Sequence, residues 1–153
     1  MNKILVANWK LHPTTTQEAV KLARASDAKN VVVCPPFPLL STVGKILQRA
    51  SLGAQDVFWE EQGPYTGEVS PAMLKNLGVR YVIIGHSERR ARGETDAQIR
   101  EKVQRALVHG ITPILCIGES ERDADAKYLA HLRTQITTAL SGIPAKDLLD
   151  III

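Results

Sequence analysis

The sequence predicts an α/β protein whose parallel strands curl toward a barrel, and three observations carry that prediction. Short apolar runs rich in β-branched residues alternate strictly with segments of helical period along the chain. At roughly thirty residues per pair, this is the spacing of parallel strands joined by right-handed helical crossovers. Nearly every run then ends in polar, chemistry-bearing residues: Asn8 and Lys10, Gln55, His86 to Glu88, and Glu119. An open doubly wound sheet gathers such groups at one switch point, whereas a barrel draws them from many strands. Finally, no G-x-G-x-x-G follows the first strand and no Walker loop occurs, so dinucleotide and P-loop chemistry lack their fingerprints.

Each element has a local reason. Ile4–Ala7 is the first strand, with Asn8-Trp9-Lys10 at its end. Thr14-Thr15-Thr16 supplies capping hydroxyls for a helix from Gln17 to Ala25, with Ala19, Val20, Leu22 and Ala23 on its inner side. Val31–Cys34 is the second strand, stopped by Pro35-Pro36, and Pro38 opens a helix expected to reach about Ala50. Leu52–Gln55 is a short third strand of small residues, followed by a long loop, Asp56 to Gly67. Ser70-Pro71 caps a short helix over Ala72–Leu77 that Gly78 closes.

Tyr81–Gly85 reads as a strand buried on both faces, and it delivers His86, Ser87, Glu88, Arg89 and Arg90 without a spacer. Gly93–Asp96 caps a helix from Ala97 to His109, with Ile99, Val103, Ala106 and Leu107 at helical spacing. Thr112–Ile117 is the fifth strand and leads into Gly118-Glu119-Ser120. Asp125–Leu140 is the last helix, stopped by Gly142 and Pro144, and Asp150–Ile153 begins a sixth strand.

Composition narrows the function classes. Apolar residues make up 44% and charged residues 23% of the 153, a globular balance. The net charge of +3 comes from basic residues interspersed with acidic ones, and aromatics are 5%. That suits an anionic small molecule and argues against a nucleic-acid partner. Cys34 and Cys116 lie within apolar runs and in no metal-like spacing, so two buried thiols in a reducing, cytoplasmic compartment are expected. The apolar run Ile4–Ala7 is too short for a signal-peptide core, and no stretch approaches the roughly 18 apolar residues needed to span a bilayer.

Five motifs, in order, carry a resemblance. Ala7-Asn8-Trp9-Lys10, Cys34-Pro35-Pro36, Gly63-Pro64-Tyr65-Thr66-Gly67-Glu68, Gly85-His86-Ser87-Glu88-Arg89-Arg90 and Cys116-Ile117-Gly118-Glu119 together resemble the triosephosphate isomerase family across the whole chain. The resemblance implies a TIM (β/α)8 barrel that interconverts dihydroxyacetone phosphate and glyceraldehyde 3-phosphate by enediol proton transfer, in glycolysis and gluconeogenesis. It implies no cofactor and no metal, a small phosphorylated triose as substrate, and a homodimer.

The same resemblance assigns roles. His86 matches the electrophile, since a neutral imidazole can donate a hydrogen bond to the substrate carbonyl. Lys10 matches the ammonium that stabilises developing oxyanion charge, and Asn8 a residue that contacts substrate. Glu88 matches a carboxylate paired with Lys10, and Ser87 a partner of the catalytic base. Outside the motif a lone His or Lys would be read as structural or solvated, and for Ser87 and Glu88 a purely supporting role weighs as heavily. Thr66 matches the tip of a loop that inserts into the neighbouring subunit. Pro64 and Tyr65 depart from the family's commoner Ala and aromatic pattern there. His12, His109 and His131 sit in no motif and read as helix or loop surface.

Length is the largest departure. A barrel of this kind takes about 250 residues and eight strands. About five strand–helix units and the start of a sixth strand fit into residues 1–153, read as a single incomplete domain. The resemblance puts the catalytic glutamate, the closing lid and the phosphate-holding amides beyond that strand, and neither Glu88 nor Glu119 is promoted to the base. Five or six strands cannot close the barrel, so open strand edges and an uncovered apolar end at Ile151–Ile153 are expected. The alternative to an isomerase is an inactive truncated remnant, or a half-barrel assembly module that needs a C-terminal complement. An open sheet binding another phosphate ligand has only the fold behind it.

Overall fold

A computed structural model describes residues 3–119, 126 and 128–153. Its strands are β1 (Leu5–Asn8), β2 (Val31–Cys34), β3 (Ser51–Ala54), β4 (Tyr81–Ile84) and β5 (Thr112–Leu115). They form one sheet in the order β1-β2-β3-β4-β5, each parallel to the next in sequence. Sequential parallel pairing through right-handed crossovers sends every helix to the same face. The result is a curled barrel wall of five strands rather than a doubly wound sheet.

The helices are α1 (Thr16–Ser26), α2 (Leu40–Ile46), α3 (Pro71–Asn76), α4 (Ser87–Arg90), α5 (Asp96–Val108) and α6 (Tyr128–Ala139). Three of them start where the sequence placed caps. The hydroxyls of Thr15, Ser70 and Thr95 accept from the backbone N–H groups of Glu18, Met73 and Gln98. Thr95 and Gln98 form a reciprocal capping box. Ser120 and the expected helix start at Asp125 lie outside the described residues, and the helix is described from Tyr128.

Strand periodicity sorts the core into two layers. Val33, Leu52, Ala54, Val82, Ile84 and Leu115 point outward and pack against Ala19, Ala23, Leu40, Val43, Leu74, Ile99, Val103 and Ala106 of the helices. Val32, Cys34, Ile83 and Ile114 point inward and form a second, smaller cluster with Val6, Tyr81, Cys116 and Ile152. The small-residue character of β3 has its reason on that inner face. A Cβ on Gly53 would lie 2.5 Å from Cys34 Sγ and 2.7 Å from Val32 Cγ1, so the wall curls tightly only because glycine is there.

Four expectations need correction. The helix opened by Pro38 ends at Ile46, not near Ala50. The Asp27 carboxylate draws the next segment away by accepting from the N–H groups of Gln48, Arg49 and Ala50, with distances of 2.7–3.1 Å. Leu22 is exposed rather than inward, because Ala19 and Ala23 already bring α1 close to the sheet. Of the two thiols, Cys34 is fully buried, which pushes its pKa up to about 12, but Cys116 is only half-buried. The last segment makes a 3-10 turn at Asp147–Asp150 and then bridges in parallel to β5, Ile114 to Ile152, so the start of the sixth strand comes just after Asp150 rather than at it. Leu115 N–H and Ile152 N–H carry that bridge.

Candidate functional site

At the C-terminal end of the sheet the ends of β1, β3 and β4 converge. Lys10 lies just past β1 with φ of 54°, a left-handed conformation that a residue with a Cβ adopts at a cost. It is held from two sides. Asn8 Oδ1 accepts from the Lys10 N–H at 3.0 Å. Gln55 Nε2, just past β3, donates to the Lys10 carbonyl at 2.9 Å and to the Cys34 carbonyl at 2.9 Å. The amide of Gln55 thus ties three strand ends together, a role that its place at a strand end did not disclose.

Gly85 turns the chain from β4 into α4. Its φ is +73°, and a Cβ there would meet Arg90, Ile99 and the Cys116 carbonyl at 3.1 Å, so only glycine fits. His86 caps α4: its Nδ1 accepts from the Glu88 N–H at 3.2 Å. An Nδ1 occupied as an acceptor puts the neutral ring's proton on Nε2, where it is available to a ligand. Glu88 reaches back across the sheet end, and its Oε1 takes a hydrogen bond of 2.7 Å from Lys10 Nζ. That contact holds the Glu88 carboxyl below the ordinary carboxylate range.

The resulting cleft of about 420 Å³ is lined by Asn8, Lys10, His12, Gln55, His86, Glu88, Arg89 and Arg92 among others. Cations outnumber carboxylates there, which suits an anionic ligand. Of the residues selected from sequence, Asn8, Lys10, His86 and Glu88 are brought together. Ser87 opens α4 and is exposed, and Thr66 is exposed in the loop between β3 and α3; neither lines the cleft. His12, read as plain surface, lines it. His12 is exposed, as expected, whereas His109 is half-buried with its Nε2 3.6 Å from Glu61.

Beside the cleft lies a feature that sequence reasoning missed. Lys102, on α5, is buried, with Nζ 2.7 Å from Asp56 Oδ1 and also bonded to Glu94. Arg89 closes the cluster, 2.8 Å from Asp56 and 3.1 Å from Glu94. Two cations and two carboxylates balance. Burial raises the Asp56 pKa, and Lys102 opposes that rise. A signal existed in the sequence: positions 99, 102, 103 and 106 share one helical face, so Lys102 stands on the core side of α5.

A family model described as triosephosphate isomerase matches residues 3–153. The triosephosphate isomerase of Thermoanaerobacter sp. (strain X514) is 48% identical over 98% of this chain and 64% of its own length. That of Roseiflexus sp. (strain RS-1) is 45% identical over 98% and 63%. The crystal structure of triosephosphate isomerase from Bartonella henselae superposes with a TM-score of 0.86 at 34% identity, covering all of this chain and 67% of that one. The chain therefore spans a little under two thirds of the length of these curated relatives.

Proposed function

This chain belongs to the triosephosphate isomerase family, and from that premise we propose that its cleft is the carbonyl-polarising share of an isomerase site for dihydroxyacetone phosphate and glyceraldehyde 3-phosphate. The observation that carries the proposal is the convergence of Lys10 and His86 from β1 and β4, with the imidazole proton directed to Nε2 by the Glu88 N–H. The reaction moves a proton between adjacent carbons through an enediol. As the proton leaves carbon, charge develops on the neighbouring oxygen. His86 Nε2–H donates to that oxygen and the Lys10 ammonium stabilises it.

Asn8 contributes twice, by contacting substrate and by holding Lys10 in its left-handed conformation. Glu88 orients the Lys10 ammonium, and Ser87 stands one residue from His86 as a partner for the base. We assign no proton-abstracting base among these residues; the family resemblance puts it, with the phosphate-holding amides, in the last third of the barrel. The reading extends to a cytoplasmic enzyme of glycolysis and gluconeogenesis, and to a homodimer in which Thr66 approaches Asn8 and Lys10 of the neighbour.

A coupled isomerase assay tests this on the chain as it stands and on the chain joined to the last third of the Thermoanaerobacter relative. The joined protein is expected to turn over triose phosphate. Lys10→Met and His86→Gln are each expected to lower its kcat/KM on the order of 10²–10⁴-fold. A folded joined protein with no activity, or one indifferent to both substitutions, contradicts the proposal.

A further inference from the structure

The helix that carries the candidate chemistry has nothing apolar to hold it. α4 is only four residues long, Ser87–Arg90, and none of them is buried. A single helical turn is not stable by itself and normally takes its place from a packed face. α4 is instead fixed by two guanidiniums. Arg90 is anchored locally, donating to the Gly85 carbonyl at 2.8 Å and the Cys116 carbonyl at 3.2 Å and pairing with Asp96 at 2.6 Å. Arg89 is anchored on Asp56 and Glu94, which come from the start of the loop after β3 and the approach to α5. Those two carboxylates are joined a second time, and out of reach of water, by the buried ammonium of Lys102.

We propose that Lys102, through the buried Asp56–Lys102–Glu94–Arg89 cluster, is a positioning residue that sets α4 and with it the His86–Glu88 hydrogen bond and the Glu88–Lys10 contact. Lys102 lines no part of the cleft, so it acts through Arg89 and Asp56, which do line it. Its bearing on isomerisation rests on the function proposed above. Its physical content does not, because the cluster shapes the cleft whatever ligand enters.

The test is made on the full chain without substrate. It measures the ¹⁵N shifts of the His86 ring and hydrogen exchange at the Glu88 amide. In Lys102→Met, the Glu88 amide is expected to exchange about tenfold faster or more, and the two ring nitrogens of His86 to move toward the average of the two tautomers, while the β2 amide chemical shifts stay at their native positions. Lys102→Arg, which retains charge and donors, is expected to restore both signals. If Lys102→Met does not fold, the charge-balanced Lys102→Met/Asp56→Asn variant breaks the same link and is read the same way. Unchanged His86 and Glu88 signals in either folded variant overturn the proposal. Since no substrate is used, a chain that fails to bind triose phosphate leaves these results standing. Unchanged signals in a chain that does bind it defeat the positioning role alone.

Discussion

Two ionic groups lie side by side at the end of this sheet, and they differ in nearly everything but charge. Lys10 and Glu88 meet at 2.7 Å with more than half of each side chain exposed, at 53% and 54%. Lys102 meets Asp56 at the same distance with 2% and 7% exposed. In water-facing surroundings an ion pair is screened and loses side-chain freedom, so it contributes little to stability. In a dry site, the pair is costly to assemble and costlier to break by removing one partner, because the other charge is left uncompensated. The exposed pair is therefore free to exchange its partner for a ligand, whereas the buried cluster fixes geometry.

The sharpest way to break this comparison is to remove Lys102. Lys102→Met leaves Asp56 and Glu94 buried with only Arg89 between them, and is expected to destabilise the fold by about 3–5 kcal/mol in denaturant unfolding. A loss below about 1 kcal/mol would place this cluster in the same class as a surface pair. Next comes a test of the wall behind the site. Gly53→Ala drives a methyl into Cys34 and Val32 and is expected to cost about 1–3 kcal/mol, with an altered β2–β3 register visible in amide exchange. Smaller again is Thr95→Ala, which removes the capping box of α5, the helix that presents Lys102, at about 1 kcal/mol.

The smallest effect on stability belongs to the exposed pair. Lys10→Met is expected to leave the unfolding midpoint close to that of the parent chain. What it changes is titration. Because the Lys10 contact depresses the folded-state pKa of Glu88, the pairing is fully present above the ordinary glutamate range and is lost as pH falls through the depressed value. A ¹³C titration of the Glu88 carboxyl is expected to show its midpoint rise when Lys10 is replaced, and added salt is expected to narrow the gap. A midpoint unmoved by the substitution would mean that Lys10 does not hold the carboxylate.

Much of this architecture was legible in the chain because its causes are local. Val31–Cys34 is a strand between turn-formers, and Thr15, Ser70 and Thr95 cap helices from adjacent positions. Polar residues at strand ends pointed to a site, and Asn8, Lys10, His86 and Glu88 do share one cleft. The parts that were not legible depend on partners far away in sequence. Asp27 draws the chain out of α2 by taking the backbone N–H groups of Gln48, Arg49 and Ala50, more than twenty positions downstream. Lys102 finds Asp56 forty-six positions away. Helical periodicity alone put Lys102 among Ile99, Val103 and Ala106, but an ammonium there made no sense until its carboxylates were known.

The central claim is that the exposed pair serves a ligand while the buried cluster only holds it in place. A site-resolved NMR titration of the chain with dihydroxyacetone phosphate tests this most directly, following Lys10 Nζ, the Glu88 carboxyl, the His86 ring, Lys102 Nζ and the Glu94 carboxyl together. Saturable shifts are expected at Lys10, Glu88 and His86, with Lys102 and Glu94 unmoved. Shifts of equal size in both groups, or none at Lys10 and His86 in a folded chain, would contradict it.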